Sequence, residues 1–532
     1  MRSNSRASYA NGPAGTRRAG ACGNAKAGAS HWFSQAARNK DFVICCFSGS
    51  DILSFVQKTG YSYVDVLGPL TAASRVPSVQ AGRTGIMKGI EPMFYRACLS
   101  ETGVMWDVWL YHHAETYYLY YLAHVGELWD NISMATSADG VHWREVGRVL
   151  TRSADAKWMG TGSTWESPDS EEAVRFFMNF SEWKGRRQNI YFAESQDLVH
   201  WTRLEGDEYR FVQDERWYKK NGRWDTIWTI ARPGGGLYGY WTASPKKKTG
   251  GAFGFGESLD GIHWKALAPP KVVNAEVEGI TREGEVGAIE KIGDRYYMML
   301  GRYPVMVTLV ADKPEGPFDR ARKNYKVLAG HTYYSRFFRS PNGMLVCHFA
   351  QARTGEVFFS PLKAAVLDDE GTLRLGWWHG NARMKHEAIE VRMPDESEGA
   401  VTMLGEVFDM ERGVILEGRL DLPEDGDAGR RGLYVDCGSG RGAGVLIDNA
   451  GRADLGSMNA DGAGFSAEKT VDREMGFSSS ARFRLLVQGS LMEFYLDDVL
   501  MECFSLPGEA TGGIGLIRGE RRGAIGDLHA WR

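Results

Sequence analysis

The chain has 532 residues, a net charge of −4 and a pI of about 6.3. That balance gives no global electrostatic reason to expect nucleic acid or an anionic membrane as partner, and no uninterrupted apolar run approaches the length of a membrane span. Seven cysteines, scattered and without a CxxC pair, argue against a disulfide framework or a zinc site; they fit a reducing compartment, so a cytoplasmic location is expected.

Residues 1–40 contain no Asp or Glu and lack the apolar core of a secretory signal. Residues 1–85 read as a disordered extension, with Met87 an alternative start. One apolar run, Phe42 to Phe47, interrupts it without an evident role.

From about residue 90 a repeat appears. Ser137-Ala-Asp-Gly-Val-His-Trp143 recurs as Ser195-Gln-Asp-Leu-Val-His-Trp201 and as Ser258-Leu-Asp-Gly-Ile-His-Trp264, with the tryptophans 58 and 63 residues apart. Ser-x-Asp-Gly is a tight-turn signature: Asp bonds the local backbone and Gly supplies positive φ. The Trp is then expected to pack between neighbouring units. Aromatic strands lie between the turns at Thr116–Leu122, Val174–Phe180, Leu237–Ala243, Tyr296–Leu300 and Met344–Phe349. A degenerate fourth turn is Ala311 to Phe318, and a fifth unit runs through Leu362–Trp378. Units of this size hold four short strands each, so the pattern predicts a five-bladed β-propeller over 90–385.

Residues 386–400 are charged and read as a linker. From 400 to 532, glycine-punctuated strands follow one another without helical periodicity: Val414–Leu420, Gly432–Val435, Gly444–Ile447, Phe483–Val487, Leu491–Leu496, Val499–Phe504 and Gly513–Ile517. Asp497-Asp498 supplies a hairpin turn. A β-sandwich is expected, and the whole chain is expected to be all-β.

Two short stretches carry the candidate chemistry. Trp106-Asp107-Val108-Trp109 and Trp224-Asp225-Thr226-Ile227-Trp228 each set one carboxylate among aromatics ahead of an aromatic strand, 118 residues apart. Two repeat periods separate them, so they are read as equivalent positions on blades one and three. An Asp capping a turn is the plainer alternative for either alone.

These turns resemble the blade turns of the five-bladed propeller glycoside hydrolases of families 32, 68, 43 and 62. The order propeller then sandwich is most similar to family 32. Phe483-Arg-Leu-Leu-Val-Gln-Gly-Ser-Leu-Met-Glu-Phe-Tyr-Leu-Asp-Asp498 is similar to that family's sandwich hairpin, and Phe359–Arg374 to the stretch closing its propeller. The resemblance implies three catalytic acids, which map to Asp107, Asp225 and Glu285. The family 32 wording around the aspartates is replaced here by Trp-Asp-Val-Trp and Trp-Asp-Thr, and Glu285 stands in Gly284-Glu-Val-Gly without the family 43 proline. Glu278, Glu283 and Glu290 compete with Glu285.

In glycoside cleavage one carboxyl protonates the leaving oxygen and another attacks the anomeric carbon or activates water. Glu285 is the candidate acid, its pKa expected to be raised, Asp107 the nucleophile or base, and Asp225 the transition-state stabiliser. Trp106 and Trp224 flank the acids. Trp158 and Trp165, in Lys157-Trp-Met-Gly-Thr-Gly-Ser-Thr-Trp-Glu166, are candidate sugar platforms or buried blade residues. Arg282 is a candidate hydroxyl-binding group. His331 is a candidate on the last blade, with a structural histidine the plainer reading. No cofactor or metal is expected. The substrate is expected to be an oligosaccharide or polysaccharide cleaved by an exo-acting hydrolase at a β-fructofuranoside or α-arabinofuranoside. A glycoside phosphorylase or mannosidase-type enzyme, using Arg282, Arg302 and Arg336 to grip phosphate, is one alternative. A carbohydrate-binding propeller without activity is another.

Overall fold

The computed structural model describes residues 42–45, 54–57 and 92–532, except 127, 169–173, 274–283, 393–398, 423–430, 449, 478 and 518–524. Met1–Arg83 is a unit of its own, in which Phe42–Cys45 pairs antiparallel with Ser54–Gln57. The disorder expected for the remainder of 1–85 lies outside the described residues. Thr84–Arg532 is a second compact unit.

That second unit is a five-bladed β-propeller followed by a β-sandwich. Each blade starts at the axis and meanders outward. Blade one is Val104–His113, Thr116–His124, Asn131–Ser137 and Arg144–Thr151; blade two is Trp158–Glu166, Phe176–Lys184, Arg187–Ser195 and Thr202–Arg203. Blade three is Trp224–Ala231, Leu237–Ala243, Gly254–Ser258 and Lys265–Ala266. Blade four is Glu285–Ile292, Arg295–Arg302, Val305–Ala311 and Asp319–Arg320, with Lys326–Ala329 also pairing to its third strand. Blade five starts with Thr332–Ser340 and Gly343–Gln351 and continues through Lys363–Leu367 to Leu373–Trp377. The second strands are covered on both faces by neighbouring blades, so they read as apolar runs, TYYLYYLAH in blade one. The five inner strands contact one another in order, and the fifth contacts the first. Tyr95 exchanges both backbone hydrogen bonds with Phe359 of blade five, at 3.0 and 2.7 Å, so the chain entering blade one ties the ring shut.

The repeated turns perform as their residues require. In the first, Asp139 Oδ1 accepts from the backbone N–H groups of Val141 and His142, its Oδ2 bonds His142 Nδ1 at 2.7 Å, and Ser137 Oγ accepts from Gly140 N–H. Asp197 and Asp260 repeat the pattern. Gly140 and Gly261 take left-handed φ of 75° and 86°, and Leu198 holds the same region at 65°. Each turn's Trp packs on the preceding blade: Trp201 on Tyr120, Trp264 on Trp165, and Trp143 across the closure on Phe359. In the degenerate fourth turn Phe318 takes this place against Tyr240 and Phe253 of blade three.

The propeller and the sandwich share a sheet. Leu373–Trp377 of blade five pairs through Gly376 with Val499, which begins the strand Val499–Ser505. The sheet then runs through Leu491–Leu496, Ser480–Gln488, Val414–Asp421, Ile525–Trp531 and Ala388–Ile389. The facing sheet orders Val401–Met403, Ile514–Ile517, Arg431–Asp436, Arg441–Ile447, Ala453–Asn459 and Ser466–Val471. Leu416, Leu485, Phe494, Leu433 and Val445 are among the side chains that fill the space between them. The expected linker is pinned to this body: His386 and Glu387 donate backbone N–H groups to Arg532, and Ala388–Ile389 is an edge strand.

Candidate active site

Every inner strand breaks register once, near its start. In blade one two residues, Trp106 and Asp107, intervene between the Met105–Ala123 and Val108–Tyr121 pairs. The same irregularity falls between Met159 and Gly162, Asp225 and Ile227, Val286 and Ala288, and Tyr333 and Arg336. A bulge re-aims the side chains around it, and five bulges at one level turn those side chains toward a shared axial funnel. Thr226 and Tyr334, inside two of them, sit at φ of 47° and 55°, a region unfavourable to non-glycine residues and enriched at functional sites.

The three predicted acids lie at these bulges on blades one, three and four. They are not equivalent positions, which corrects the reading from their shared Trp-Asp wording. Counted back from the residue that resumes pairing, Asp107 is one before Val108, Asp225 two before Ile227 and Glu285 three before Ala288. Asp107 lies inside its bulge, whereas Asp225 and Glu285 are still paired ahead of theirs, and their tryptophans do different things. Trp224 is fully buried against Phe211, Tyr218 and Trp241. Trp106 is half-buried beside Trp129 and Phe349.

Arg223 ties two of the acids together. Its Nη1 donates to Glu285 at 3.0 Å and its Nη2 to Asp225 at 3.2 Å. Asp225 also accepts from Ser181 Oγ at 2.6 Å and Thr226 Oγ1 at 3.2 Å. Glu285 accepts from the Tyr333 hydroxyl at 2.6 Å. Burial, and the Glu285 carboxylate beside it, push the Tyr333 phenol up, so it stays a donor. The carboxyl that its surroundings raise is that of Asp107. Burial raises it well above the usual carboxylate range, Glu285 and Asp225 add to that by repulsion, and Arg336 and Arg223 partly offset it.

Below the acids the axis is closed by an arginine. Arg336 is fully buried, with its guanidinium carbon 4.5 Å from the Tyr334 ring centre and 5.8 Å from those of Trp109 and Trp228. From blade five its Nη1 reaches across to the Gly162 carbonyl of blade two at 2.5 Å. Blade two contributes room instead of a carboxylate. A Cβ on Gly160 would stand 2.6 Å from Asp225 Oδ1 and 2.3 Å from Ser181 Oγ.

The remaining candidates fall in different places. Trp158 is partly exposed and stacks on Trp183, with centroids 5.8 Å apart and an interplanar angle of 24°. Trp165 is buried against Phe192 and Trp264 and, like Trp224, has no face for a sugar. His331 sits in the seam with the sandwich. Its Nδ1 accepts from Ser505 N–H at 3.4 Å, its ring meets Phe504, and burial, with Lys469 and Arg353 nearby, lowers its pKa to about 4. Arg282, Glu278 and Glu283 lie outside the described residues. Glu290 is on the same strand as Glu285 but is buried and paired with Arg339 at 2.6 Å. Sequence reasoning missed Arg223 and Tyr333, and named Arg336 only as a possible phosphate grip. In the stretch Gly330–Arg336 the histidine is the residue type that suggests chemistry, whereas the bulge brings Tyr333 to Glu285.

No protein-family profile matches the chain, and no curated protein matches it in sequence. Solved structures do match in fold. Fructan 1-exohydrolase IIa from Cichorium intybus aligns with a TM-score of 0.61 at 12% identity, covering 83% of this chain and 97% of that one. Exo-inulinase from Aspergillus awamori aligns with a TM-score of 0.62 at 11% identity, covering 83% and 97%. Sucrose-6-phosphate hydrolase from Lactobacillus gasseri aligns with a TM-score of 0.60 at 13% identity, covering 83% and 92%. The chain has the propeller-and-sandwich fold of these enzymes along nearly their whole length. The resemblance read from the blade turns and the sandwich hairpin holds at the level of fold.

Proposed function

We propose that this protein is an exo-acting glycoside hydrolase that releases terminal β-fructofuranosyl units. The observation that carries the reading is the convergence of Asp107, Asp225 and Glu285, from three blades, on a funnel closed beneath them by Arg336. A blind funnel admits a chain end and not the middle of a polymer. Substrate class comes from the fold shared with a fructan exohydrolase, an exo-inulinase and a sucrose-phosphate hydrolase.

Asp107 attacks the anomeric carbon or activates water, and must be ionised to do so. Glu285, on the side of the funnel nearest its mouth, protonates the departing oxygen. Asp225, held ready by Ser181 and Thr226, accepts hydroxyls of the sugar ring as positive charge develops on it. Arg223 keeps Asp225 and Glu285 in fixed relation. Trp106 and the Trp158–Trp183 pair supply apolar surface for sugar faces.

A phosphorylase would need several cations gathered on one phosphate. Arg223 is committed to two carboxylates, Arg336 is buried among three rings, and Arg302 is exposed at the end of its strand. Among the described residues these cations are not gathered on one point, and the hydrolytic reading leads. Incubation with sucrose, 1-kestose, inulin and levan should release free fructose as the first product, without intermediate oligosaccharides. Release of arabinose from aryl arabinofuranosides, with no fructose from any of the four, would overturn the fructoside assignment. Binding without turnover would leave a lectin.

A further inference from the structure

The arginine that closes the propeller axis has more donors than the protein gives it acceptors. Arg336 is fully buried, and its Nη1 reaches the Gly162 carbonyl. Its Nε and Nη2 are also buried, with no acceptor among the described residues. These two nitrogens form one edge of the guanidinium plane, on which two N–H bonds run parallel. That is the edge with which an arginine grips an anion at two points.

The charge is short of a partner as well. Arg223 pairs with Asp225 and Glu285, whereas no carboxylate among the described residues forms an ion pair with Arg336. Asp107 feels Arg336 electrostatically without a hydrogen bond between them. The rings of Trp109, Trp228 and Tyr334 surround the guanidinium and offset part of its charge through their faces. A ring face does not replace an acceptor in the guanidinium plane, and the polar atoms of these rings are engaged elsewhere. Trp109 Nε1 donates to Thr164 Oγ1, Trp228 Nε1 to the Ile289 carbonyl, and the Tyr334 hydroxyl to the Val286 carbonyl. A guanidinium stays charged in proteins, and a buried cation with unfilled donors is costly.

Two hydroxyls share the deficit. Ser335 precedes Arg336 and Thr161 precedes Gly162, so one stands in each of the two bulges that the guanidinium bridges. Both hydroxyls are buried without a partner. The missing group must therefore be an acceptor. It must be small, because neither arginine nitrogen is open to solvent, and a negative charge on it would balance the unpaired cation.

We propose that the propeller axis holds a monatomic anion, chloride in a cell, on the Nε–Nη2 edge of Arg336. The anion completes the link between blade five, which carries Arg336, and blade two, which supplies the Gly162 carbonyl. The site is independent of which sugar the protein takes and of whether it hydrolyses one.

The test uses the full chain and halide salts alone. Protein purified and crystallised in sodium bromide should show an anomalous bromine peak on the Nε–Nη2 edge of Arg336. Density there without an anomalous signal is a water molecule and overturns the anion. In solution, replacing sodium gluconate by sodium chloride at constant ionic strength should raise Tm. The rise should be about 3 °C once chloride exceeds its dissociation constant about a hundredfold. Arg336→Lys keeps the charge but removes the two-point edge, and should abolish the rise. A wild-type Tm that ignores chloride, or a rise that survives in Arg336→Lys, overturns the proposal. If Arg336→Lys does not fold, the bromide map decides alone.

Discussion

At the scale of single residues the site holds more negative charge than it neutralises. Three carboxylates face Arg223 and Arg336, and the excess falls on Asp107, which burial and Glu285 push up. Asp107→Asn should lower kcat by about a thousandfold, the range expected on losing a group that acts directly at the reacting carbon. The same change should raise stability at neutral pH. A carboxyl whose pKa is raised in the folded state binds its proton more tightly there than in the unfolded chain. It therefore lowers stability as pH climbs out of the ordinary carboxylate range, and it has no effect below that range. The Tm of Asp107→Asn should exceed that of wild type at pH 7, and the gap should close toward pH 3 in calorimetric scans; a lower Tm at pH 7 would contradict the electrostatic picture. The activity profile has the matching sign: kcat/KM should rise with pH along an acid limb displaced above the usual aspartate range. Asp107 and Asp225 were legible in the sequence because an acid among aromatics is unusual and the two recur at twice the repeat. Arg223 was not. Nothing in its neighbourhood marks it, and its function depends on Glu285, 62 residues away and brought near only by the ring.

At the scale of elements the working part of each blade is the bulge on its inner strand. Blade two shows this without an acid of its own, since Gly160 sits in the bulge and leaves the space that the Asp225 carboxylate and Ser181 occupy. Gly160→Ala should displace Asp225 and reduce kcat/KM by about a hundredfold, as a misplacement of about 1 Å can. It should cost no more than about 3 kcal/mol of stability, the usual limit for one added methyl group in a packed site. Steady-state kinetics beside a denaturant titration separates the two effects, and full activity in Gly160→Ala would show that Asp225 does not need its observed position. The outer turns give a second prediction. Asp139 and Asp260 are held down at about 2, chiefly by hydrogen bonds from their turns' histidines, against the opposing effect of burial. A lowered folded-state pKa stabilises above the ordinary carboxylate range, and that contribution disappears as pH falls toward 2. The double variant Asp139→Asn, Asp260→Asn should accordingly lose less stability than wild type between pH 4 and pH 2. These turns were the most legible part of the chain, because Ser, Asp, Gly and Trp each have a local task and the tasks recur. The bulges were illegible. An extra residue in a strand shows only against its partner, so the sequence placed Asp107 and Asp225 at one register position when Asp107 lies inside its bulge and Asp225 is still paired with Thr242.

At the scale of the molecule, the propeller and sandwich are joined by buried polar groups as well as by a shared sheet. Lys363 of blade five and Glu493 of the sandwich are both fully buried and form an ion pair. Glu493 also accepts from the Tyr495 hydroxyl, and Lys363 also donates to the Pro361 carbonyl, each at 2.6 Å. Ile415, Leu486, Leu491 and Tyr495 of the sandwich belong to the same apolar cluster as Leu345 and Leu375 of blade five. The sequence divided the chain near 386–400 on charge and composition. It could not reveal this seam, because the paired residues are 130 positions apart and each sits in an ordinary strand. A buried pair has paid its desolvation only while both members remain, so removing one leaves an uncompensated charge. Glu493→Ala should destabilise the protein by about 3–5 kcal/mol, and adding Lys363→Met should recover most of that loss, since two apolar side chains replace an ion pair at little net cost. Denaturant unfolding followed by tryptophan fluorescence and by circular dichroism measures both. If the seam couples the two bodies, the two probes shift together in Glu493→Ala and return together in the double variant. A separate early transition in Glu493→Ala, with the remaining signal unfolding at the wild-type midpoint, would mean that the propeller stands without the sandwich.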